Sequence, residues 1–167
     1  MNLIKEIDEK KNLFLRIQNI YSLLLISFIF SLDRFSKIEI LSNFSDNTFF
    51  VNNYINLDLI WNTGIGFGLL SSDSSIIYNV VTTIIFFVIL LLFYLAAVSR
   101  KLDNMIFSVI IGGAIGNLYD RLSYNAVPDF IDLHYRNLHW FTFNLADIFI
   151  TFGIIVFFAK DFFVKSK

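Results

Sequence analysis

Four long stretches of this 167-residue chain are dominated by apolar side chains. A bilayer core about 30 Å thick is crossed by roughly 17–25 helical residues, and each stretch, with its flanks, has that length. The second stretch is apolar all round, whereas a helix of a soluble bundle keeps one polar face. The pattern therefore predicts an all-α membrane protein with four transmembrane helices, at about residues 15–34, 74–99, 102–120 and 143–163.

Composition agrees with a membrane protein and excludes several functions. Hydrophobic residues make up 56% of the chain and charged residues 16%, whereas soluble domains carry about 25% charged residues. The net charge of −1 gives no electrostatic basis for binding nucleic acid. The chain has no cysteine, which excludes disulfides, thiol catalysis and zinc–thiolate sites. No internal repeat or linker divides the chain, so residues 1–167 are predicted to form one domain.

The distribution of Lys and Arg predicts the orientation, because basic residues favour the cytoplasmic side. With the N-terminus inside, the cytoplasmic segments hold nine of the 13 basic residues. The four in the outer segments are Arg34, Lys37, Arg121 and Arg136. Both termini are therefore expected in the cytoplasm, and residues 36–73 and 120–142 outside. Within the first of these loops, residues 55–62 alternate in polarity as a strand does, and Asn62-Thr63-Gly64 forms a turn.

Polar residues inside the predicted spans are the candidate functional groups, since burying them in a membrane is costly. Asp147 lies near the start of the fourth span, three residues after Asn144. That spacing is also typical of a helix cap, so both interpretations stay open. In the third span, Gly113, Asn117 and Arg121 lie four residues apart on one helix face. Gly112 and Gly116, by the same spacing, predict close packing against another helix.

A second acid, Asp129, follows Pro128 in an apolar part of the second outer loop. Proline restricts the backbone there, so Asp129 is expected on an extended, constrained segment. Two carboxylates at one partly dehydrated site do not both ionise easily, and such a pair works as acid and base in amide hydrolysis. Helix four starts near Asn144, so Asp129 and Asp147 are expected to face each other.

Other functions are alternatives to this hydrolytic pair. His134 and His139 lie five residues apart, which does not place them on one helix face, and no H-E-x-x-H motif occurs. Metal binding is therefore disfavoured. A small proton-coupled carrier using Asp147 would need paired repeats or broken helices, which the chain lacks. A membrane assembly factor without enzymatic activity, whose polar residues only join helices, is the remaining alternative.

Four sequence blocks, in this order, resemble the signature of bacterial lipoprotein signal peptidase, also called signal peptidase II. They are the segments at residues 62–68, 112–121, 127–130 and 143–147. Asp33 and Lys37, near the end of the first span, resemble a further family position. The resemblance covers almost the whole chain after about residue 17 and includes the number and orientation of the spans.

The resemblance implies an endopeptidase that removes signal peptides from diacylglyceryl-modified prolipoproteins, just before the lipidated Cys. It implies a site on the periplasmic side of the bacterial inner membrane, with lipidated prolipoproteins and membrane lipids as partners and no metal or cofactor. Asp129 and Asp147 match the catalytic acids. The outer loop around Asn62 matches a small periplasmic β-cradle that, with a small helix, covers the substrate. The residues that match supporting or substrate-binding positions are Asp33, Asn62, Gly64, Asn117, Arg121 and Asn144.

Overall fold

The computed structural model describes residues 16–44, 48–64 and 75–164, and within them the chain forms four helices and one four-stranded sheet. The helices are α1 (Ile17–Asn43), α2 (Ser75–Val98), α3 (Lys101–Tyr124) and α4 (Leu145–Val164). The strands are β1 (Phe49–Asn52), β2 (Ile55–Asn62), β3 (Val127–Tyr135) and β4 (Leu138–Phe143). The charged N-terminal tail and the glycine-containing segment that follows Gly64 lie outside the described residues.

Helix α3 is the centre of the bundle and packs against α1, α2 and α4. Its buried side includes Ile106, Phe107 and Ile111, and Ile111 is completely buried. The helix ends at Asn125, which adopts a left-handed conformation (φ 54°) that asparagine tolerates better than most residues. The position of α3 matters for function because its sheet end carries Asn117, Asp120 and Arg121.

Two of the described helices, Ile76–Val98 and Lys101–Tyr124, are long and apolar enough to cross a membrane. The first has only 22% of its apolar window buried inside the protein, so most of its apolar surface faces outward. Ile76 is 72% exposed and Phe87 62% exposed. Large exposed apolar surfaces of this kind fit a lipid environment. The protein is mostly helical, and two of its described helices have the length and hydropathy needed to cross a membrane. The prediction of four transmembrane helices is therefore supported in part.

Helix α1 extends nine residues beyond the predicted end of the first span at residue 34. The charges near the predicted end of the span belong to the helix: Asp33 and Lys37 are one turn apart, completely buried and joined by a 2.8 Å ion pair. Lys37 also pairs with Asp120 of α3, so partners within the protein replace water. The helical part of the chain therefore continues into the predicted outer segment and ends at Asn43.

The sheet is antiparallel with strand order β1-β2-β3-β4. The strand predicted at residues 55–62 is confirmed as β2. It pairs with β3, with Asn62 opposite Val127 and Ile60 opposite Asp129. Residues 120–142, predicted as an outer loop with an extended segment at Asp129, contain the end of α3 and most of a β-hairpin. The β region implied by the resemblance is thus a sheet in which β3 is an interior strand.

Three glycines of α3 allow neighbouring helices to approach closely. A Cβ at Gly112 would lie 2.8 Å from the Cβ of Ile29 on α1, and one at Gly116 would overlap the carboxylate of Asp33. Gly112 and Gly116, whose spacing predicts close helix packing, therefore face α1. Gly113 faces the other way: a Cβ there would lie 2.6 Å from the carbonyl oxygen of Ala146 in α4. Gly116 consequently supports both the packing and the buried charges near the site.

We expect Gly113→Ala to lower the thermal stability of the protein, because its methyl group would meet the α4 backbone, which cannot rotate away. Overpacking of this kind costs about 1–3 kcal/mol. Gly153→Ala is the matched control, since its Cβ would meet the Ile110 side chain, which can change rotamer. Melting curves in detergent should show the larger loss for Gly113→Ala; equal or reversed losses would contradict this account of the α3–α4 contact.

Candidate active site

Asp129 lies near the start of β3, where it is only 3% exposed. Its Oδ2 accepts a 2.8 Å hydrogen bond from the side-chain amide of Asn62. Its Oδ1 accepts a 2.6 Å hydrogen bond from the side-chain amide of Asn144. The extended backbone expected after Pro128 is present, and interior strand pairing holds it. A buried carboxylate is thus fixed between two amides from β2 and from the start of α4.

Asp147 lies in the first turn of α4 and is partly buried. Its Oδ1 accepts a 2.8 Å hydrogen bond from the side-chain amide of Asn117 on α3. Its Oδ2 accepts a 3.2 Å hydrogen bond from the backbone N–H of Asn144. The positive end of the helix dipole also favours an acid at this position. Asp147 is therefore held from α3 and from the start of its own helix.

Asn144 connects the two acids. Its side-chain oxygen accepts the backbone N–H of Asp147 at 3.1 Å, while its own N–H bonds back to the Asp147 carboxylate. These reciprocal bonds form a capping box. Its side-chain NH₂, which the cap does not use, donates to Asp129. The two interpretations left open by the sequence are therefore compatible: Asn144 caps α4 and also binds the second acid.

The surroundings of Asp129 raise the pKa of its carboxyl group. Burial raises the pKa of Asp129 most, and the negative charge of Asp147 raises it further, to about 6. The hydrogen bonds from Asn62 and Asn144 act in the opposite direction because they favour the carboxylate. Asp129 therefore keeps its proton at pH values where an ordinary Asp is ionised, so one acid of the pair can donate a proton while the other accepts one.

Gly64 and Arg121 fix the end of β2 against α3. The backbone N–H of Gly64 donates to the side-chain oxygen of Asn62 at 2.8 Å, which leaves the NH₂ of Asn62 directed at Asp129. The Arg121 guanidinium donates to the carbonyl oxygen of Gly64. Tyr78 of α2 donates in turn to the carbonyl oxygen of Arg121 at 3.2 Å. These predicted residues thus support the amide that holds Asp129.

Asp33 reaches the same region from α1. Its Oδ1 accepts the backbone N–H of Ala146 at 3.0 Å, which satisfies a free donor in the first turn of α4. The structure therefore gathers all eight residues singled out from the sequence at the sheet end of the bundle. Lys37 and Asp120 belong to this cluster through Asp33, although the sequence pattern presented them as outer charges. The i, i+4 spacing of Asp33 and Lys37 was the available signal.

The two histidines lie elsewhere, on the β3–β4 hairpin, as opposing residues of the strand pair. The Nδ1 of His139 lies 2.7 Å from Asp132 Oδ2, and that of His134 lies 3.6 Å from the same oxygen. Within the described ranges no cluster of three or more acidic, histidine or cysteine side chains has the geometry of a metal site. Both imidazole rings therefore lie beside the buried carboxylate of Asp132.

Two apolar grooves reach Asp147, one on each side of α4. The larger has a volume of about 640 Å³, lies between α2, α3 and α4, and has Asn117, Arg121 and Asp147 among its lining residues. The smaller, about 360 Å³, lies between α4 and the end of β4 and is lined by Phe141, Phe143 and residues of α4. The acid is therefore accessible from two apolar surfaces.

Comparisons with known proteins agree on one family. The family described as signal peptidase (SPase) II matches residues 25–163. The lipoprotein signal peptidase of Pelagibacter ubique is 41% identical over 157 residues, covering 92% of this chain and 95% of that protein. The one from Anaplasma phagocytophilum is 38% identical over 157 residues, covering 90% and 97%. A bacterial membrane enzyme solved by the in meso method at 2.3 Å resolution is similar in structure, with TM-score 0.71, 25% identity and coverage of 87% and 90%.

We expect Asn144→Ser to separate the two roles of Asn144. Serine keeps an oxygen that can cap α4. Loss of a helix cap costs about 0.5–2 kcal/mol, so the free energy of unfolding should fall by less than this amount. Serine lacks the NH₂ that binds Asp129, so the pKa of Asp129 should rise above its value of about 6. Infrared titration of the carboxyl band, assigned by difference from Asp129→Asn, measures this pKa.

Asn56→Ser is the matched control for that experiment. Asn56 lies on β2, like Asn62, but its amide points at Asp132, away from the two acids. The control should leave the Asp129 titration in place. An unchanged Asp129 pKa in Asn144→Ser would show that Asn144 is a helix cap alone.

Proposed function

The chain belongs to the signal peptidase II family, and we propose that it is an aspartic endopeptidase that removes signal peptides from diacylglyceryl-modified prolipoproteins, before the lipidated Cys. The observation that carries this proposal is the bridge through Asn144, which binds the carboxylates of Asp129 and Asp147 at once. A buried acid with a raised pKa beside a second acid is the arrangement that acid–base hydrolysis of an amide needs.

In the mechanism, Asp147 is the ionised partner and Asp129 the protonated one. Asp147 takes a proton from a water molecule while the oxygen of that water attacks the carbonyl carbon of the residue before the lipidated Cys. Asp129 gives its proton to the carbonyl oxygen, which forms a neutral tetrahedral diol. Asp147 then protonates the departing amine nitrogen, and the C–N bond breaks. Asp129 recovers a proton from the diol, so the pair returns to its starting state.

The supporting residues keep this geometry during the reaction. Asn117 and Asn144 donate to the two oxygens of Asp147, which fixes the orientation of its carboxylate. Asn62 and Asn144 do the same for Asp129. Pre-organised donors of this kind reduce the reorganisation that proton transfer would otherwise require.

The grooves on either side of α4 support a route from the bilayer by which a lipidated precursor would reach the acids. Such a precursor has two apolar parts, its signal peptide and its acyl chains, joined near the scissile bond. The larger groove, between α2, α3 and α4, leads along apolar side chains such as Val88 and Ile150 to Asp147. An apolar helix arriving from the bilayer would therefore meet the acid without leaving an apolar surface.

We further propose four transmembrane helices, with both termini in the cytoplasm and the sheet at the periplasmic face of the inner membrane. Three of the four basic residues assigned to the outer side are engaged within the protein. Lys37 is completely buried and paired with acids, Arg121 donates to a backbone carbonyl, and Arg34 pairs with Asp120. Because these charges are paired within the protein, the sheet end carries fewer free positive charges. This supports placing the sheet end on the periplasmic side, since free basic residues favour the cytoplasm.

Asp129→Asn and Asp147→Asn should each reduce cleavage by at least about a hundredfold, since loss of a general acid or base costs about 10²–10⁴ in rate. Asparagine keeps the shape of the acid but cannot exchange the proton. The assay is cleavage of a diacylglyceryl-modified precursor by purified protein in lipid, with folding checked by melting temperature. Asp132→Asn is the matched control, because Asp132 is a buried acid three residues further along β3. Near-normal cleavage by either dyad variant would refute the aspartic mechanism.

Reporter fusions test the proposed topology. Alkaline phosphatase, which is active only outside the cytoplasm, should be active when fused after Asn137 in the hairpin. It should be inactive when fused after Lys101 or after Lys167. A fluorescent protein that folds only in the cytoplasm should give the opposite pattern. Phosphatase activity from the fusion after Lys167 would show the orientation to be wrong.

A further inference from the structure

Lys37 is completely buried in an apolar bundle, and the reaction proposed above does not use it. Its ammonium group donates to Asp33 Oδ2 at 2.8 Å and to the side-chain oxygen of Asn117 at 2.9 Å. It also lies 2.7 Å from Asp120 Oδ2. An ammonium has three N–H donors, and three acceptors surround this one. Burying a lysine is costly even with such partners, which suggests that the position serves more than packing.

The contact with Asn117 has a direct consequence for Asp147. A side-chain amide has one accepting end and one donating end, and an ammonium can only donate. Because Lys37 occupies the oxygen of Asn117, the NH₂ of Asn117 points at Asp147 Oδ1, 2.8 Å away. A flipped amide would place its NH₂ against the ammonium of Lys37 and its oxygen against the carboxylate of Asp147, and both contacts would be repulsive. Lys37 therefore fixes which end of Asn117 meets the acid.

The contact with Asp33 acts on the same helix. Asp33 binds Lys37 through Oδ2 and the backbone N–H of Ala146 through Oδ1. Lys37 thus orients a carboxylate that holds the first turn of α4, directly beside Asp147. Two independent bonds, through Asn117 and through Asp33, lead from one ammonium group to the start of α4.

We propose that Lys37 is a positioning residue of this enzyme: its ammonium group orients Asn117 against Asp147, and its positive charge sets the pH range in which the two acids work. This inference rests on the proposed aspartic mechanism. The charge of Lys37 acts beyond its direct contacts, since it lowers the pKa of Asp129. The other charged groups near this cluster are Asp33 and Arg34 on α1, Asp120 and Arg121 on α3, Asp129 on β3 and Asp147 on α4.

Lys37→Met removes the charge and keeps the length of the side chain. A positive charge favours carboxylates, so its loss should move both limbs of the pH–rate profile to higher pH, by about half to one pH unit. The rate at the optimum should fall at least tenfold, because Asn117 is no longer oriented. A role limited to packing would lower the rate without moving the profile. Lys160→Met is the matched control, since Lys160 pairs with Asp103 at the opposite end of the bundle.

Lys37→Met also leaves Asp33 and Asp120 without their shared cation, which can prevent folding. The double variant Lys37→Met/Asp120→Asn removes one charge of each sign and restores the balance. Its profile should return toward that of the wild type, while its rate stays at least tenfold lower because the Asn117 contact is still missing. A double variant with a wild-type rate would overturn the proposal, even if the single variant does not fold.

A double-mutant cycle tests whether Lys37 acts through Asn117. In an Asn117→Leu background, the Lys37→Met/Asp120→Asn changes should lower the rate by a smaller factor than in the wild type, because the amide to be oriented is already gone and only the contact through Asp33 remains to be lost. Full additivity of the two losses would overturn the proposed route. Asp129→Asn and Asp147→Asn, assayed beside these variants, distinguish the levels of failure. If they retain cleavage, the aspartic mechanism itself fails; if only the Lys37 results deviate, this inference fails alone.

Discussion

A charged or polar side chain inside an apolar bundle must find partners in the protein, because neither lipid nor apolar side chains can replace water. At the sheet end of the bundle this constraint is met by a chain of contacts that starts at Lys37 and ends at Asp129. It runs through Asn117, Asp147 and Asn144. Helices α1, α3 and α4 and the sheet each contribute a member, so the bundle and the site depend on the same contacts. Moving any one element would leave a buried polar group without its partner.

The close packing of the helices follows from this arrangement. The Asp33 carboxylate lies where a side chain at position 116 would be, so only glycine at that position lets α1 place Asp33 against the start of α4. Gly113 performs the equivalent function between α3 and α4, where it lies against the backbone of Ala146. The glycine-rich part of α3 is therefore a requirement of the site as well as of helix association.

Much of the fold could be predicted because its signals are local. The apolar stretches gave four helices, and alternation gave β2. The extension of α1 could not be predicted, since two of the partners that let Lys37 remain in a buried helix, Asn117 and Asp120, lie about 80 residues away. Strands β1 and β4 were missed for a similar reason, because their aromatic residues read equally well as an apolar loop or the start of a span. Of the site, Asp147 stood out as a charge within a span, whereas the buried role of Asp120 depends on contacts that no local pattern contains.

Helix α4 lies between the two apolar grooves, and among the residues that the structure describes Asp147 is the acid that borders both of them. This geometry sets the shape of a compound that could enter both grooves from the bilayer. Such a compound would be forked, with one greasy arm on each side of α4 and a hydrogen-bonding junction at the carboxylate. A single-tailed amphiphile would fill one groove and leave the other open. Selectivity among membrane-soluble inhibitors of this fold would therefore be decided by branching, rather than by hydrophobicity alone.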